Sequence, residues 1–135
     1  MKIIATLLVC MVVQCAALDT NFVKAIHQVE SSGKIGPIKG DKGKALGPLQ
    51  IHYSYWKDAT DFDKSIGGKY EDVAKLDYSV KVMASYLQRY CPKAVSSNNF
   101  EILARTHNGG LKGPDKVATI NYWKKVKTEL DKAKK

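Results

Sequence analysis

The feature that most constrains this fold is a segment rich in glycine and proline, residues 35–51, which cannot be helical. Glycine weakens a helix and proline breaks one, and this stretch of the chain holds four glycines and two prolines. Its apolar ends flank a turn at residues 41–43, and this pattern predicts a short, irregular β-hairpin. Amphipathic segments lie on both sides, so the predicted fold class is α+β, mainly α, with the hairpin directly after the first helix.

The helices are predicted from apolar residues that recur at helical spacing. The first runs from about Thr20 to Ser32, with Asp19 or Thr20 as its cap and Gly33 as its stop. A loop is expected over residues 61–69 and a single helical turn over residues 70–75. Four further helices are expected. The second covers residues 54–60, and the third is capped by Asp77 and ends at Cys91, before Pro92. The fourth is capped by Asn99 and covers residues 100–107, and the last begins at about Thr119 and carries on one face Ile120, Trp123, Val126 or Lys127, and Leu130.

The N-terminus has the pattern of an export signal. A basic start, an apolar run over residues 3–13 and small residues up to Ala17 predict a signal peptide over 1–17 and a single domain over 18–135. The alternative is a membrane anchor, but the run is shorter than the ~20 residues that cross a bilayer. We therefore expect a secreted, extracellular protein, with delivery to a lysosome or phagosome left open.

Cysteine content and charge limit the other classes. Cys10 and Cys15 would leave with the signal peptide, so Cys91 would be the single cysteine of the mature chain and no intrachain disulfide is expected. For Cys91 itself, a buried structural thiol is favoured over a nucleophile. Residues 18–135 carry 21 basic and 13 acidic residues, a formal charge of +8. This charge suits nucleic acid, anionic lipid or an anionic wall polymer, or it is merely a soluble basic surface. No nucleic-acid motif is present, and we expect no stable membrane association and a monomer.

Two carboxylates have the contrast that glycoside hydrolysis needs. Glu30 follows Ile26 by one turn at the edge of the apolar face, where burial disfavours its ionised form. Asp41 lies in the polar hairpin turn beside Lys42 and Lys44, where its charge is favoured. One acid is then suited to protonate a leaving oxygen and the other to stabilise a cation. From spacing alone, the simpler explanation is a surface glutamate and a turn-forming aspartate.

Several sequence blocks resemble the invertebrate-type (destabilase-like) lysozyme family across nearly the whole mature chain. They are Val29-Glu-Ser-Ser-Gly33, Gly47-Pro-Leu-Gln-Ile51 with Tyr55-Trp-Lys-Asp58, Tyr86-Leu-Gln-Arg-Tyr90, Ala104-Arg-Thr-His-Asn-Gly-Gly110 and Tyr122-Trp-Lys-Lys-Val126. The resemblance implies a lysozyme-like fold and a glycoside hydrolase acting on the β-1,4 linkage after N-acetylmuramic acid in bacterial peptidoglycan. It places the catalytic acid on Glu30 and the catalytic aspartate on Asp41. Carboxyl groups ~5 Å apart would make the reaction a retaining one.

The resemblance also suggests residues that line the cleft. His107 would orient Asp41 or touch sugar, against the alternative of a core histidine, and Asn108 and Gly109 would follow it in a sugar-lining loop. Tyr55 is a candidate cleft wall and Gln50 a polar group supporting either carboxylate, whereas Trp56 is assigned to the core. The three histidines are scattered, so we expect neither a metal site nor a cofactor.

Departures from the family concern stability and a second activity. Positions where the family has disulfide cysteines hold Leu46, Ala59, Val73 and Pro114. Some members also cleave isopeptide bonds, with a serine and a lysine as the reacting pair. In this sequence the serine is replaced by Lys44 or Ala45 and the lysine by His52. Neither Lys44 nor Ala45 has a hydroxyl that could act as a nucleophile, so this activity is not expected. Two rival functions stay open: a lytic transglycosylase-like enzyme with a single acid, and a non-catalytic cationic protein that binds walls.

Overall fold

The structure is a computed structural model that describes residues 17–135. The predicted signal peptide lies almost wholly outside these residues, so its cleavage remains a prediction. Within the described part of the chain, no helix combines the length and the apolar character needed to cross a membrane.

The fold consists mainly of helices around one small antiparallel sheet, which confirms the predicted class. The α-helices are α1 (Thr20–Ser31), α2 (Tyr53–Phe62), α3 (Leu76–Tyr90), α4 (Pro92–Ser97), α5 (Phe100–Gly109) and α6 (Ala118–Lys132). The strands are β1 (Lys39–Gly40), β2 (Ala45–Leu46) and β3 (Ile51–His52). Short 3₁₀ turns occur at Asp41–Gly43, Lys64–Ile66, Tyr70–Ala74 and Gly113–Asp115.

Helix α1 begins and ends as the sequence predicts. The Asp19 carboxylate accepts a hydrogen bond from the Phe22 amide at 3.0 Å, so it satisfies one of the free amides of the first turn. Ser32 and Gly33 both adopt left-handed conformations, with φ of 57° and 75°, and stop the helix there. Phe22 and Ile26 are fully buried, and the same face carries Glu30 one turn later.

The predicted hairpin is present, but it is two strands of a three-stranded sheet. Strand order is β1-β2-β3, and Gly40, Ala45 and His52 lie side by side across it. The third strand was not predicted because two residues are too few to show alternation. Gly47, at φ 84°, makes the bend between β2 and β3; a Cβ there would lie 2.1 Å from the Val73 carbonyl oxygen.

Three details of the helix predictions are wrong. Lys75, not Asp77, is the N-terminal flanking residue of α3; Asp77 lies inside the first turn, where its carboxylate accepts from the Tyr78 amide. Pro92 ends α3 but also begins α4, because proline has no amide hydrogen to lose in a first turn. On α6, Val126 is buried, whereas Ile120 is 38% exposed.

The core lies between α1, α3, α5 and α6. Phe22 stacks on Phe100 with ring centroids 5.4 Å apart, while Met83 and Leu87 are fully buried. The Cys91 thiol is free and partly buried, and burial raises its pKa, as expected of a structural thiol rather than a nucleophile. Packing therefore holds the described fold together, and its rigid core supports the residues of the site.

Candidate active site

A cleft of about 470 Å³ opens between the end of α1, the sheet, α2, α3 and the end of α5. Polar and aromatic side chains line most of it. The lining residues are Glu30, Asp41, Ala45, Gln50, His52, Ser54, Tyr55, Asp58, Tyr86, His107, Asn108 and Gly110. The sequence-predicted residues thus meet in one cavity, with the exception of Gly109.

Glu30 lies in the last turn of α1, at the apolar edge predicted from its spacing. Burial raises the pKa of its carboxyl from 4.5 to about 7, an effect that the nearby Tyr122 side chain partly opposes. The carbonyl end of the helix acts in the same direction as burial, because its partial negative charge disfavours a carboxylate. Near neutral pH this group therefore exists in both protonation states, which is the condition that a general acid requires.

Tyr122 of α6 lies beside Glu30, behind the lining of the cleft, and the sequence placed it in a family block without a role at the site. Its hydroxyl is buried and has no hydrogen bond of ordinary geometry to any residue in 17–135. It nevertheless lies close enough to the Glu30 carboxyl to lower its pKa, and the Glu30 charge in turn raises the pKa of Tyr122. A hydroxyl beside this carboxyl favours its ionised form once the proton has been transferred.

Asp41 lies in the turn between β1 and β2 and differs from Glu30 in exposure. Its φ of 48° and that of Lys42, 56°, are both left-handed, so the turn is tightly bent. The carboxylate is 58% exposed and lies 3.2 Å from Nε2 of His52. Water and an imidazole therefore surround this carboxylate, whereas protein surrounds the carboxyl of Glu30.

His107 and Tyr55 form the buried floor of the cleft. The Tyr55 hydroxyl and Nδ1 of His107 are 2.8 Å apart, and Tyr55 stacks on Tyr86 at 3.6 Å. Burial lowers the pKa of His107 to about 4, although a hydrogen bond with the Leu49 backbone acts to raise it. The ring is therefore neutral at pH 7. When Nε2 carries the hydrogen, Nδ1 of the neutral ring accepts a hydrogen bond from the Tyr55 hydroxyl. The histidine that contacts Asp41 is His52, not His107.

The remaining predicted residues have different surroundings. The Gln50 amide donates to the carbonyls of Ile38 and Gly47 at 3.0 and 2.9 Å, so it supports the hairpin backbone rather than a carboxylate. Asn108 lines the cleft. Gly109 does not: a Cβ there would lie 2.6 Å from the Thr119 side chain, so it packs towards α6, and Gly110 takes its place in the lining.

Known proteins with similar sequences are lysozymes. The chain is 32% identical over 117 residues to a lysozyme of Ostrea edulis, covering 84% of this chain and 82% of the relative. It is 33% identical over 117 residues to invertebrate-type lysozyme 6 of Caenorhabditis elegans, covering 81% and 85%. The chain belongs to the invertebrate-type lysozyme family. No protein-family model matches it.

Solved structures agree with this family. The Tapes japonica lysozyme superposes on this lysozyme with a TM-score of 0.66 at 27% identity, covering 82% of this chain and 89% of that one. An inhibitor-bound lysozyme from Meretrix lusoria gives a TM-score of 0.69 at 26% identity, covering 84% and 91%. This protein is therefore a glycoside hydrolase with lysozyme function, and neither rival function is favoured.

Asp58 is a third carboxylate in the cleft of this lysozyme, and no role was predicted for it from the sequence. It lies one turn after Ser54 on the inward side of α2, and its Oδ2 accepts a hydrogen bond from the Tyr90 hydroxyl at 2.8 Å. The i, i+4 spacing of Ser54 and Asp58 was the available signal. Trp56 instead donates to the Tyr78 hydroxyl, outside the lining, in agreement with its assignment to the core.

The cleft of this lysozyme presents hydrogen-bond acceptors and aromatic rings rather than a metal-binding set. Within residues 17–135, no group of three or more histidines, cysteines and carboxylates is arranged to hold a metal ion. Three carboxylates, two tyrosines and an asparagine can accept and donate hydrogen bonds to a polyhydroxylated ligand. Such a lining suits a carbohydrate chain.

Proposed function

We propose that this lysozyme hydrolyses the β-1,4 bond between N-acetylmuramic acid and N-acetylglucosamine in bacterial peptidoglycan. Glu30 is the proton donor and Asp41 the partner carboxylate. The observation that carries this proposal is the contrast between the two groups in one cleft. Glu30 keeps its proton up to about pH 7, whereas Asp41 is more than half exposed to water, which solvates a negative charge.

The chemistry follows from these two environments. Glu30 donates its proton to the glycosidic oxygen as the bond from that oxygen to C1 breaks, and positive charge develops on the sugar ring. The Asp41 carboxylate stabilises this charge or bonds to C1. The ionised Glu30 then takes a proton from water as the water oxygen attacks C1, which restores both groups. If the carboxyl groups lie ~5 Å apart, the product retains its configuration.

The remaining cleft residues bind and orient the sugar chain. Tyr55 and Tyr86 provide the aromatic floor, and Asn108 and Gln50 provide polar groups at its edges. His107 acts through its bond to Tyr55 rather than as a proton donor, because at about 4 its pKa is too low for it to hold a proton at neutral pH. The protein works as a secreted monomer after removal of residues 1–17, in defence against bacteria or in their digestion.

The decisive experiment compares wild type with Glu30→Gln on purified bacterial walls. The amide cannot donate the proton, so turbidity clearance and release of reducing ends should fall by at least ~100-fold. Glu71→Gln is the matched control, since Glu71 is exposed and lies outside the cleft. Wall lysis by Glu30→Gln at near the wild-type rate would show that the assignment is wrong, and anhydro-sugar products would exclude hydrolysis.

A further inference from the structure

The Asp41 carboxylate is held by a histidine from the far strand of the sheet. Nε2 of His52 lies 3.2 Å from Oδ2 of Asp41, and the two side chains are 45% and 58% exposed. No other side chain in the described range 17–135 forms a hydrogen bond or ion pair with this carboxylate. Both residues line the cleft. The orientation of Asp41 towards a bound sugar therefore depends on His52.

The sheet register creates this contact. Gly40, Ala45 and His52 are neighbours across β1, β2 and β3, and Asp41 directly follows Gly40. Directly opposed residues project from the same face of a sheet. Ala45 between them is buried and small, so the imidazole can reach across the middle strand to the turn. A larger side chain at position 45 would occupy that path.

His52 is fixed more firmly than the carboxylate it contacts. It lies at the junction of β3 and α2, is paired with Ala45 in the sheet, and follows Ile51, whose carbonyl accepts a hydrogen bond from Tyr70 at 2.6 Å. Asp41 lies on an exposed turn, where its side chain has fewer contacts with the rest of the protein. The contact with His52 therefore restricts the Asp41 side chain more than that of His52.

We propose that His52 is a positioning residue for Asp41, whose imidazole fixes the orientation of the carboxylate. This rests on the proposed function, in which Asp41 is the reacting carboxylate. The contact between Nε2 and Oδ2 limits the orientations that the half-exposed carboxylate can take, so that its negative charge stays directed at the position of the developing cation.

The test measures kcat and KM on a neutral, soluble chitin oligomer, because a charged wall would add pH-dependent binding. At pH 7, His52→Ala should lower kcat by about tenfold to a hundredfold, the scale of a misplaced reacting group, with little change in KM. His52→Gln keeps a polar donor at the same place, so it should restore most of kcat.

His27→Gln is the matched control, because His27 lies outside the cleft lining and its side chain hydrogen-bonds the Lys34 carbonyl. It should keep the wild-type kcat. A wild-type kcat for His52→Ala, or a kcat for His52→Gln no higher than that of His52→Ala, would overturn the proposal. In an Asp41→Asn background, His52→Ala should cause no further loss, and an additional loss would also count against it.

These variants separate the two proposals. If Glu30→Gln and Asp41→Asn keep wild-type activity, the proposed function fails whatever His52 does. If both are inactive while the His52 variants match wild type, the proposed function stands and only the role of His52 is refuted. Melting temperatures measured beside each assay identify any variant whose loss comes from unfolding.

Discussion

Glu30→Gln should make this lysozyme more stable at neutral and alkaline pH while abolishing its activity. In the folded protein Glu30 holds its proton until about pH 7, whereas its ordinary pKa is 4.5. Between these values the unfolded chain releases a proton that the folded chain retains. Stability therefore decreases as pH rises through this window, because the unfolded state binds fewer protons. Glutamine fills nearly the same volume and cannot ionise, so it removes this dependence.

The magnitude follows from the difference between 4.5 and about 7, which corresponds to roughly 3 kcal/mol at pH 8. Because Glu30 is partly exposed, solvent screening reduces this to about 2–3 kcal/mol. For a domain of this size that is a rise in melting temperature of roughly 10 °C. The advantage should vanish below about pH 4, where the carboxyl is protonated in both states.

The assay is thermal unfolding of wild type and Glu30→Gln from pH 3 to pH 8, with Glu71→Gln as control. Glu71 is exposed, so its variant should follow the wild-type curve at every pH. The difference between the first two proteins should develop between about pH 4.5 and 7 and stay constant above it. Equal melting temperatures at pH 8, or a difference that is the same at pH 3, would refute the argument that burial raises the pKa of Glu30.

Three further predictions concern Asp41, the surface charge and Gly47 at the bend of the sheet. Asp41→Asn should release almost no reducing ends. Its melting temperature should change little, because the side chain is 58% exposed. If the variant retained most of its activity, Asp41 would be excluded from the chemistry. Activity on intact walls should fall as salt rises from about 0.01 M to about 0.15 M, because the Debye length shortens from ~30 Å to ~8 Å. Hydrolysis of a neutral chitin oligomer should change little. Equal loss on both substrates would refute electrostatic attraction between the basic protein and the wall. In urea unfolding, Gly47→Ala should destabilise the fold by at least ~2 kcal/mol more than Gly43→Ala. Both glycines have a positive φ, but only at position 47 would a Cβ collide with the Val73 carbonyl. Similar losses of stability for the two variants would contradict that reasoning.

The fold was predictable where local chemistry decides the structure. Asp19, Gly33 and Asn99 mark helix ends because their side chains or backbone freedom act on immediate neighbours. Strand β3 was missed because its two residues join a sheet through contacts that sequence spacing does not reveal. Pro92 was assigned only the role of ending a helix, whereas proline is equally suited to begin one.

The site was predictable in its carboxylates but not in their partners. Glu30 could be placed at an apolar edge from helical spacing, and Asp41 from the turn that contains it. His52 meets Asp41 only because two strand pairings, β1 with β2 and β2 with β3, align Gly40, Ala45 and His52 across the sheet. Tyr122 meets Glu30 because α6 packs against α1. These contacts join residues distant in sequence, and no local pattern encodes them.

Stability and reactivity in this lysozyme depend on the same burial. Where the family resemblance places cysteines, Ala59 and Val73 are fully buried and Leu46 packs against the core. A disulfide contributes ~2–5 kcal/mol and full burial of a valine ~1.5–3 kcal/mol, so packing can replace much of what is missing. The closeness of α6 to α1 serves this core and also encloses Glu30 beside Tyr122. A looser packing there would hydrate the carboxyl, lower its pKa and remove the proton it must donate. The dense core therefore has to remain in place for catalysis, even though it makes ionisation of Glu30 costly.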